Sequence, residues 1–149
     1  MGKYKVLTAL ALTFSLIIWI QLVTTQVGAN SIQAYVDIEP HVLLLKEGGC
    51  GRWITVHIGL PEPYDVNNID VSSVTLKFLG NEVSGEVYKI QGKKLMVKFD
   101  RASVIGLLWP MIGHFSPRVK QDVRLIVTGI CDGDVFEGTD TIRVFYTHL

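Results

Sequence analysis

The chain has 149 residues, a length that suits a single domain and excludes two domains of ordinary size. Acidic and basic residues are equal in number, and no basic run with interleaved aromatic residues occurs, which excludes a nucleic-acid-binding surface. The hydrophobic share of 48% is high for a soluble protein, and the amino-terminal stretch explains part of it.

The amino-terminal stretch is typical of a secretory signal peptide. Two lysines lie within residues 1–5, residues 6–23 carry almost no charge, and small residues end the stretch at Ala29. We therefore predict a signal peptide over residues 1–29, with cleavage after Ala29. The apolar run of about 18 residues is also near the minimum for crossing a bilayer, so an uncleaved anchor is the alternative. Both alternatives place residues 30–149 outside the cytoplasmic membrane.

Strands and turns dominate the prediction for the rest of the chain, because alternating apolar side chains are bounded by glycine, proline and acidic turns. The seven or eight predicted strands are residues 34–38, 42–45, 53–60, 74–78, 83–90, 94–99, 123–127 and 142–146. Pro40 separates the first two and suits an edge strand that kinks or changes sheets. The alternation slips near Gly85, which predicts a β-bulge.

One short helix is predicted, over residues 101–108. The Asp100 carboxylate can accept hydrogen bonds from the first free amides, and Pro110 is expected to end the helix after two turns. No second segment has helical periodicity, which excludes repeated strand–helix–strand units. We therefore predict an all-β fold, with a sandwich preferred to a closed barrel.

A series of short motifs follows a recognisable order along most of this region. The motifs are residues 36–40 (VDIEP), 53–56 (WITV), 60–62 (LPE), 64–74 (YDVNNIDVSSV), 95–101 (LMVKFDR), 127–129 (VTG) and 136–144 (FEGTDTIRV). The series resembles secreted immunoglobulin-like modules of archaeal and bacterial cell-surface proteins, which often lie beside dockerin-like calcium repeats. The resemblance implies an immunoglobulin-like antiparallel β-sandwich outside the cell or at its surface. It implies location and fold rather than an activity.

Two places depart from the pattern of these modules. Many of the modules have an aspartate-rich loop before the strand at 95–101, whereas residues 88–94 here hold three lysines and no carboxylate. Calcium needs about six to eight oxygen ligands, so the resemblance implies no calcium site at this loop. The second departure is an insertion after Leu108, where the modules pass quickly into the next strand.

Two cysteines, Cys50 and Cys131, make one disulfide the first expectation for an exported chain. The bond would close a loop of about 80 residues and would stabilise the fold by roughly 4 kcal/mol in the chain-entropy model. Strands that alternate in direction place the two cysteines at opposite ends of a sandwich, beyond the reach of a disulfide. Two free thiols, or a bond between chains, are therefore the alternative.

Asp65, Asn67 and Asp70 are a tentative calcium site, because they place oxygen ligands in one loop. A second acidic cluster surrounds the last hairpin, at Asp132, Asp134, Glu137 and Asp140. The alternative is turn chemistry, since aspartate and asparagine bond to their own backbone two residues on. Neither cluster has the spacing of an EF-hand, and no other cofactor is predicted. The histidines lack metal-ligand spacing from one another, so no zinc site is predicted.

The insertion after Leu108 carries four large apolar side chains. They are Trp109, Met111, Ile112 and Phe115. The simpler interpretation is that they plug the open end of the sandwich. The other hypothesis is a partner-binding loop, because exposed aromatic and methionine side chains mark interaction sites.

The chain lacks the common catalytic motifs: a Gly-x-Ser-x-Gly elbow, a His-Glu-x-x-His pair and a glycine-rich phosphate loop. We therefore expect a non-enzymatic, extracellular or cell-surface structural or binding module. Its partner is expected to be a protein or a second copy of the chain, with no nucleic acid, and with a membrane only if the amino-terminal segment is uncleaved. Two alternatives stay open: a filament subunit that donates residues 30–33 as a strand, and a secreted inhibitor or ligand-binding domain.

Overall fold

Two β-sheets and one α-helix make up the described part of this protein. The computed structural model describes residues 31–45, 51–112 and 120–146. The predicted signal peptide or anchor, residues 1–29, lies outside the described residues. Within the described ranges, no helix combines the length and the apolar character that crossing a bilayer requires.

Ten strands follow one another along these residues, with a short 3-10 turn and one α-helix between them. They are β1 (Ile32–Gln33), β2 (Tyr35–Glu39), β3 (Val42–Leu45), β4 (Trp53–Gly59), the 3-10 turn (Val66–Asn68), β5 (Ile69–Phe78), β6 (Asn81–Ser84), β7 (Val87–Gln91), β8 (Lys94–Asp100), α1 (Arg101–Ile112), β9 (Lys120–Cys131) and β10 (Asp134–Tyr146). The strands outnumber the expected seven or eight because a two-residue strand precedes the first, and because residues 83–90 divide into two.

The strands form two sheets around a common core, as predicted for an all-β sandwich. In sheet 1 the order is β1–β10–β9–β5–β6, and β3 also pairs with β10. In sheet 2 the order is β2–β4–β8–β7. β1 and β3 run parallel to β10, whereas all other neighbours within these sheets are antiparallel. The antiparallel pattern is thus modified at one edge of sheet 1.

The chain changes sheets at Pro40, which is one of the two outcomes that the sequence predicts there. Before it, β2 pairs with β4 of sheet 2, and Asp37 lies opposite His57. After it, β3 pairs with β10 of sheet 1, and Leu43 lies opposite Val144. Because proline has no amide hydrogen to donate to a ladder, the break between the two pairings costs little at this position.

A second change of sheet occurs at Gly85, where the predicted bulge is wrong. The amide of Gly85 donates to the carbonyl of Val74 in sheet 1 at 3.1 Å. The next residue, Glu86, donates to the carbonyl of Lys98 in sheet 2 at 2.8 Å. A Cβ atom at Gly85 would collide with a methyl group of Val97, so the crossing requires glycine.

The core lies between the sheets and is filled by the alternating residues that the sequence predicts to face inward. Those that are buried are Ala34, Ile38, Ile54, Val56, Ile58, Val74, Leu76, Phe78, Leu95, Val97, Phe99, Val123, Leu125, Val127, Ile142 and Val144. Val36 and Leu60 are only partly buried. Burial of one such large side chain stabilises a fold by about 1.5–3 kcal/mol, so this interior is the main source of stability.

The helix α1 begins where the sequence predicts and ends later. The Asp100 side chain accepts a hydrogen bond from the amide of Ser103 at 2.9 Å, which caps the first turn. The prediction that Pro110 ends the helix is wrong, since α1 continues to Ile112. Proline deprives the carbonyl of Gly106 of its amide donor, but both residues are exposed, so that carbonyl can bond to water.

Part of the arm in the filament hypothesis is paired within the chain. Ile32 and Gln33 form β1, opposite Phe136 and Glu137 of β10, and Ile32 is buried. A filament built by strand donation would therefore have to exchange this pairing between copies.

Candidate functional site

A groove of about 470 Å³ opens at one end of the sandwich, between the connection from β4 to β5 and the turn from β7 to β8. We call it the loop-end groove, and it is lined by Leu60, Glu62, Pro63, Tyr64, Asp65, Val66, Asn67, Gly92 and Lys93. Ligand sites usually have volumes of about 300–1,000 Å³. The groove is therefore large enough for a small ligand or for the side chains of a partner.

Short-range hydrogen bonds fix the wall of the groove that precedes β5. The amide of Tyr64 donates to the carbonyl of Pro61 at 3.0 Å, which closes a turn. Asp65 then caps the 3-10 turn, because its Oδ1 accepts from the amide of Asn67 at 2.9 Å and from the Asn67 side chain at 2.6 Å. A wall held by its own hydrogen bonds loses little conformational entropy when a ligand binds.

Charges of both signs line the loop-end groove. Glu62 and Asp65 contribute carboxylates, Lys93 contributes an ammonium group and Tyr64 a phenol. Hydrogen bonds from the backbone and then the side chain of Asn67 hold the pKa of the Asp65 carboxyl below its usual range. Asp65 is therefore an anion at neutral pH and can orient a polar ligand.

The tentative calcium ligands Asp65, Asn67 and Asp70 make hydrogen bonds within their own turns. Asp70 Oδ1 accepts from the amide of Ser72 at 3.0 Å and from its hydroxyl at 2.6 Å. Asn67 engages Asp65 in the same way. These contacts are the turn chemistry that the sequence offers as the alternative. Calcium binding by this loop stays a prediction.

Cys131 lies behind the loop-end groove, at the end of β9. Its thiol is buried and lies 3.5 Å from the carbonyl oxygen of Asp65, to which it donates. Burial first, and then the nearby carboxylate of Asp132, raise the pKa of this thiol. Cys131 is therefore protonated at neutral pH and connects β9 to the wall of the groove.

The bond between Cys50 and Cys131 stays a prediction, since Cys50 lies outside the described residues, among which Cys131 has no disulfide partner. The described residues that follow Cys50 lie at the other end of the sandwich. Trp53 begins β4 and pairs with Asp100, where β8 ends, and β4 runs from there toward the loop-end groove. This placement favours the alternative of unpaired thiols or a bond between chains.

Two of the partner-binding candidates, Trp109 and Met111, lie on α1, at the end opposite the loop-end groove. Trp109 is 63% exposed, whereas Met111 packs partly against the core. The side chain of Ile112 and the whole of Phe115 lie outside the described residues. The exposure of Trp109 therefore favours the partner-binding hypothesis, whereas the packing of Met111 against the core favours the hypothesis that the insertion plugs the sandwich.

The structure also brings together three residues that the sequence does not connect. Asp37 of β2, His41 in the link to β3 and Asp140 of β10 place their ligand atoms within 4.8 Å of one another. Asp140 lies far along the chain from the other two, so the spacing of four between Asp37 and His41 is the only local signal.

Comparison of the chain with protein-family models, with curated proteins and with solved structures finds no significant match. The resemblance to secreted immunoglobulin-like modules therefore rests on the sequence motifs alone and stays a prediction.

Proposed function

We propose that this chain is an exported, non-catalytic, immunoglobulin-like module that binds a partner through the loop-end groove. The observation that carries the proposal is the groove itself, which lies where a connection between the two sheets meets a turn of sheet 2. Loops held on a rigid β scaffold are a common location for binding residues.

The strand order supports the immunoglobulin-like type. In that fold the first, second, fifth and fourth strands form one sheet, and the third, sixth and seventh form the other. In this chain β2 and β3 together correspond to the first strand, β4 to the second and β5 to the third, and β6 is an extra strand. β7, β8, β9 and β10 then correspond to the fourth to seventh strands. With this correspondence, β2–β4–β8–β7 matches the first sheet and β5–β9–β10 matches the second. Variable-type domains of the fold bind ligands with loops at one end, including the loop equivalent to the β4–β5 connection.

The ionisable groups at the groove support binding rather than catalysis. A general acid or base works best when its pKa lies near the operating pH. The pKa of Asp65 is instead lowered by hydrogen bonds from Asn67, and the pKa of Cys131 is raised by burial. Neither shift prepares its group for proton transfer or nucleophilic attack at neutral pH.

The position of β1 supports export with cleavage after Ala29. Ile32 follows the predicted cut closely and is buried against β10. β1 therefore lies just beyond the predicted cut, so removal of the leader would leave the pairing of β1 with β10 intact.

Site-specific photo-crosslinking tests the proposal. A photoreactive phenylalanine analogue replaces Tyr64 in the groove of one variant and Trp109 on α1 of a second, in cells that export the full chain. We expect a discrete adduct from position 64, and we expect Lys93→Glu to abolish it by reversing a charge of the groove. Position 109 is the matched control, because it is exposed at the opposite end.

An adduct from position 109 alone would contradict binding at the groove and would favour the partner-binding hypothesis for α1. Adducts from neither position would also contradict the proposal and would favour a purely structural module. An adduct between two copies of the chain at position 64 would identify the partner as the chain itself.

A further inference from the structure

Asp37, His41 and Asp140 meet at the change of sheet around Pro40. Nδ1 of His41 lies 3.9 Å from Oδ1 of Asp37, and the ligand atoms of all three side chains lie within 4.8 Å of one another. Asp37 and Asp140 are partly buried and His41 is exposed. Two carboxylates and one imidazole thus converge at the surface of the sandwich.

Backbone contacts hold this group in place. β10 pairs with β1 up to Glu137 and with β3 from Arg143 onward, so Asp140 lies in the gap between the two partners. Its Oδ2 accepts a hydrogen bond from the amide of Ile38 at 2.8 Å. The carbonyl of His41 accepts from the amide of Arg143 at 2.7 Å. These contacts hold the Asp140 side chain beside β2 and the backbone of His41 beside β10.

The two carboxylates have no lysine or arginine partner in the part of the chain that the structure describes. There, the ion-pair partner of Asp37 is His41, and Asp140 has no ion-pair partner. Two carboxylates held close to one another repel each other. A divalent cation bound by both carboxylates would remove this repulsion.

We propose that Asp37, His41 and Asp140 bind one zinc ion. Imidazole nitrogen suits zinc, whereas calcium needs about six to eight oxygen ligands. Zinc binds imidazole and carboxylate ligands at about 2.0–2.2 Å, so the three ligand atoms have to draw together by roughly 1 Å. Exposed side chains such as His41 make such a movement easily. Three protein ligands leave the fourth position of the ion to water.

The ion would stabilise the change of sheet, because it would join β2 and the following link to β10. Any ligand that binds only the folded state raises its stability with concentration. This site shares no residue with the loop-end groove, so the proposal of a zinc site and the proposal of partner binding at the groove can be disproved independently.

Calorimetric titration with zinc chloride and thermal melting test this site, on the purified exported chain without a histidine tag. We expect one equivalent of zinc to bind and to raise the melting temperature. His41→Gln removes the imidazole from an exposed position, so it should weaken zinc binding at least about tenfold while the zinc-free chain melts as the wild type does. Asp140→Asn keeps an acceptor for the Ile38 amide but loses the one for the Thr141 amide, which donates to Oδ1 at 2.7 Å, so it should weaken zinc binding and also lower the melting temperature of the zinc-free chain.

His57→Gln is the matched control. His57 also lies 3.9 Å from a carboxylate, that of Glu39, but it belongs to no group of three ligands among the described residues. The His57→Gln variant should bind zinc as tightly as the wild type does. The proposal is overturned if a tenfold excess of zinc gives neither heat nor a rise in melting temperature, or if His41→Gln binds zinc as the wild type does. Stronger stabilisation by calcium than by zinc would overturn it too.

Discussion

At the scale of single residues, two backbone segments pack closely at Gly138, where β10 passes the link between β1 and β2. A Cβ atom there would lie 2.7 Å from the carbonyl oxygen of Ala34 and would collide with a methyl group of Val36. Because that oxygen belongs to the backbone, it cannot move aside as the end of a side chain can. The close approach of these two backbone segments explains why β10 has a glycine at position 138.

We expect Gly138→Ala to lower the free energy of unfolding by about 1–3 kcal/mol, the usual cost of overpacking. Gly106→Ala is the control, since nothing lies within 4 Å of its added Cβ atom and alanine stabilises a helix by about 0.5–1 kcal/mol relative to glycine. Urea denaturation measures both changes. A Gly138→Ala variant as stable as the wild type would contradict the packing described for this position.

Asp100 leads to a prediction about pH. Hydrogen bonds from the backbone and then the side chain of Ser103 hold the pKa of the Asp100 carboxyl below its usual range. The ionised cap therefore stabilises the fold above the pKa of the unfolded chain, and this stabilisation is lost as the pH falls through the lower, folded value. We expect Asp100→Ala to lower the melting temperature by a few degrees at neutral pH and by much less in strong acid.

Asp122→Ala is the control for the cap, because Asp122 forms an exposed ion pair with Arg143 at 2.9 Å. Exposed ion pairs stabilise little, so this variant should melt close to the wild type at neutral pH. If Asp100→Ala lowers the melting temperature equally at neutral pH and in strong acid, the ionised carboxylate is not the stabilising group.

At the scale of elements, α1 has one buried face and one exposed face. Leu108 is fully buried, whereas the next residue, Trp109, is 63% exposed. We expect Leu108→Ala to lower the free energy of unfolding by about 2–5 kcal/mol, because it leaves a cavity. Trp109→Ser should change it by about 0.5 kcal/mol or less. Chemical denaturation compares the two, and a large loss in Trp109→Ser would favour the plug hypothesis over the partner-binding one.

The two changes of sheet show how far a local pattern can predict an element. Pro40 predicts a break because proline cannot donate to a ladder, and the residue type carries that information by itself. Gly85 predicts a bulge because a bulge and a crossing both shift the alternation of side chains. Only the pairing of distant strands distinguishes the two. The end of α1 differs from its prediction for a related reason, since the cost of Pro110 depends on the exposure of Gly106.

At the scale of the whole molecule, the core can be predicted from the sequence, whereas the groups of side chains at its surface cannot. The alternation of apolar and polar side chains over a few neighbouring positions is enough to indicate that residues such as Ile54 and Leu95 are buried, and they are. The loop-end groove and the meeting of Asp37 with Asp140 depend instead on which strands become neighbours. That order results from packing across the whole chain, and no short motif encodes it.

The directions of β4 and β9 lead to a prediction about the cysteines. We expect mass spectrometry of the exported chain, without reduction, to find no bond between Cys50 and Cys131 of one molecule, because Trp53 and Cys131 lie at opposite ends of the sandwich. Cys131 should react with an alkylating reagent only after denaturation, since its thiol is buried and its pKa is raised. A native chain that has lost two hydrogens to an internal bond would contradict this strand arrangement.

The change of sheet along the edge strand and the proposed zinc site both depend on one feature, the division of that strand at Pro40 between the two sheets. Nuclear Overhauser effects between backbone protons measure that division directly. The structure predicts contacts between Asp37 and His57 and between Leu43 and Val144, so that β2 lies beside β4 and β3 lies beside β10. Contacts from β2 and β3 to one and the same strand would contradict the two-sheet arrangement.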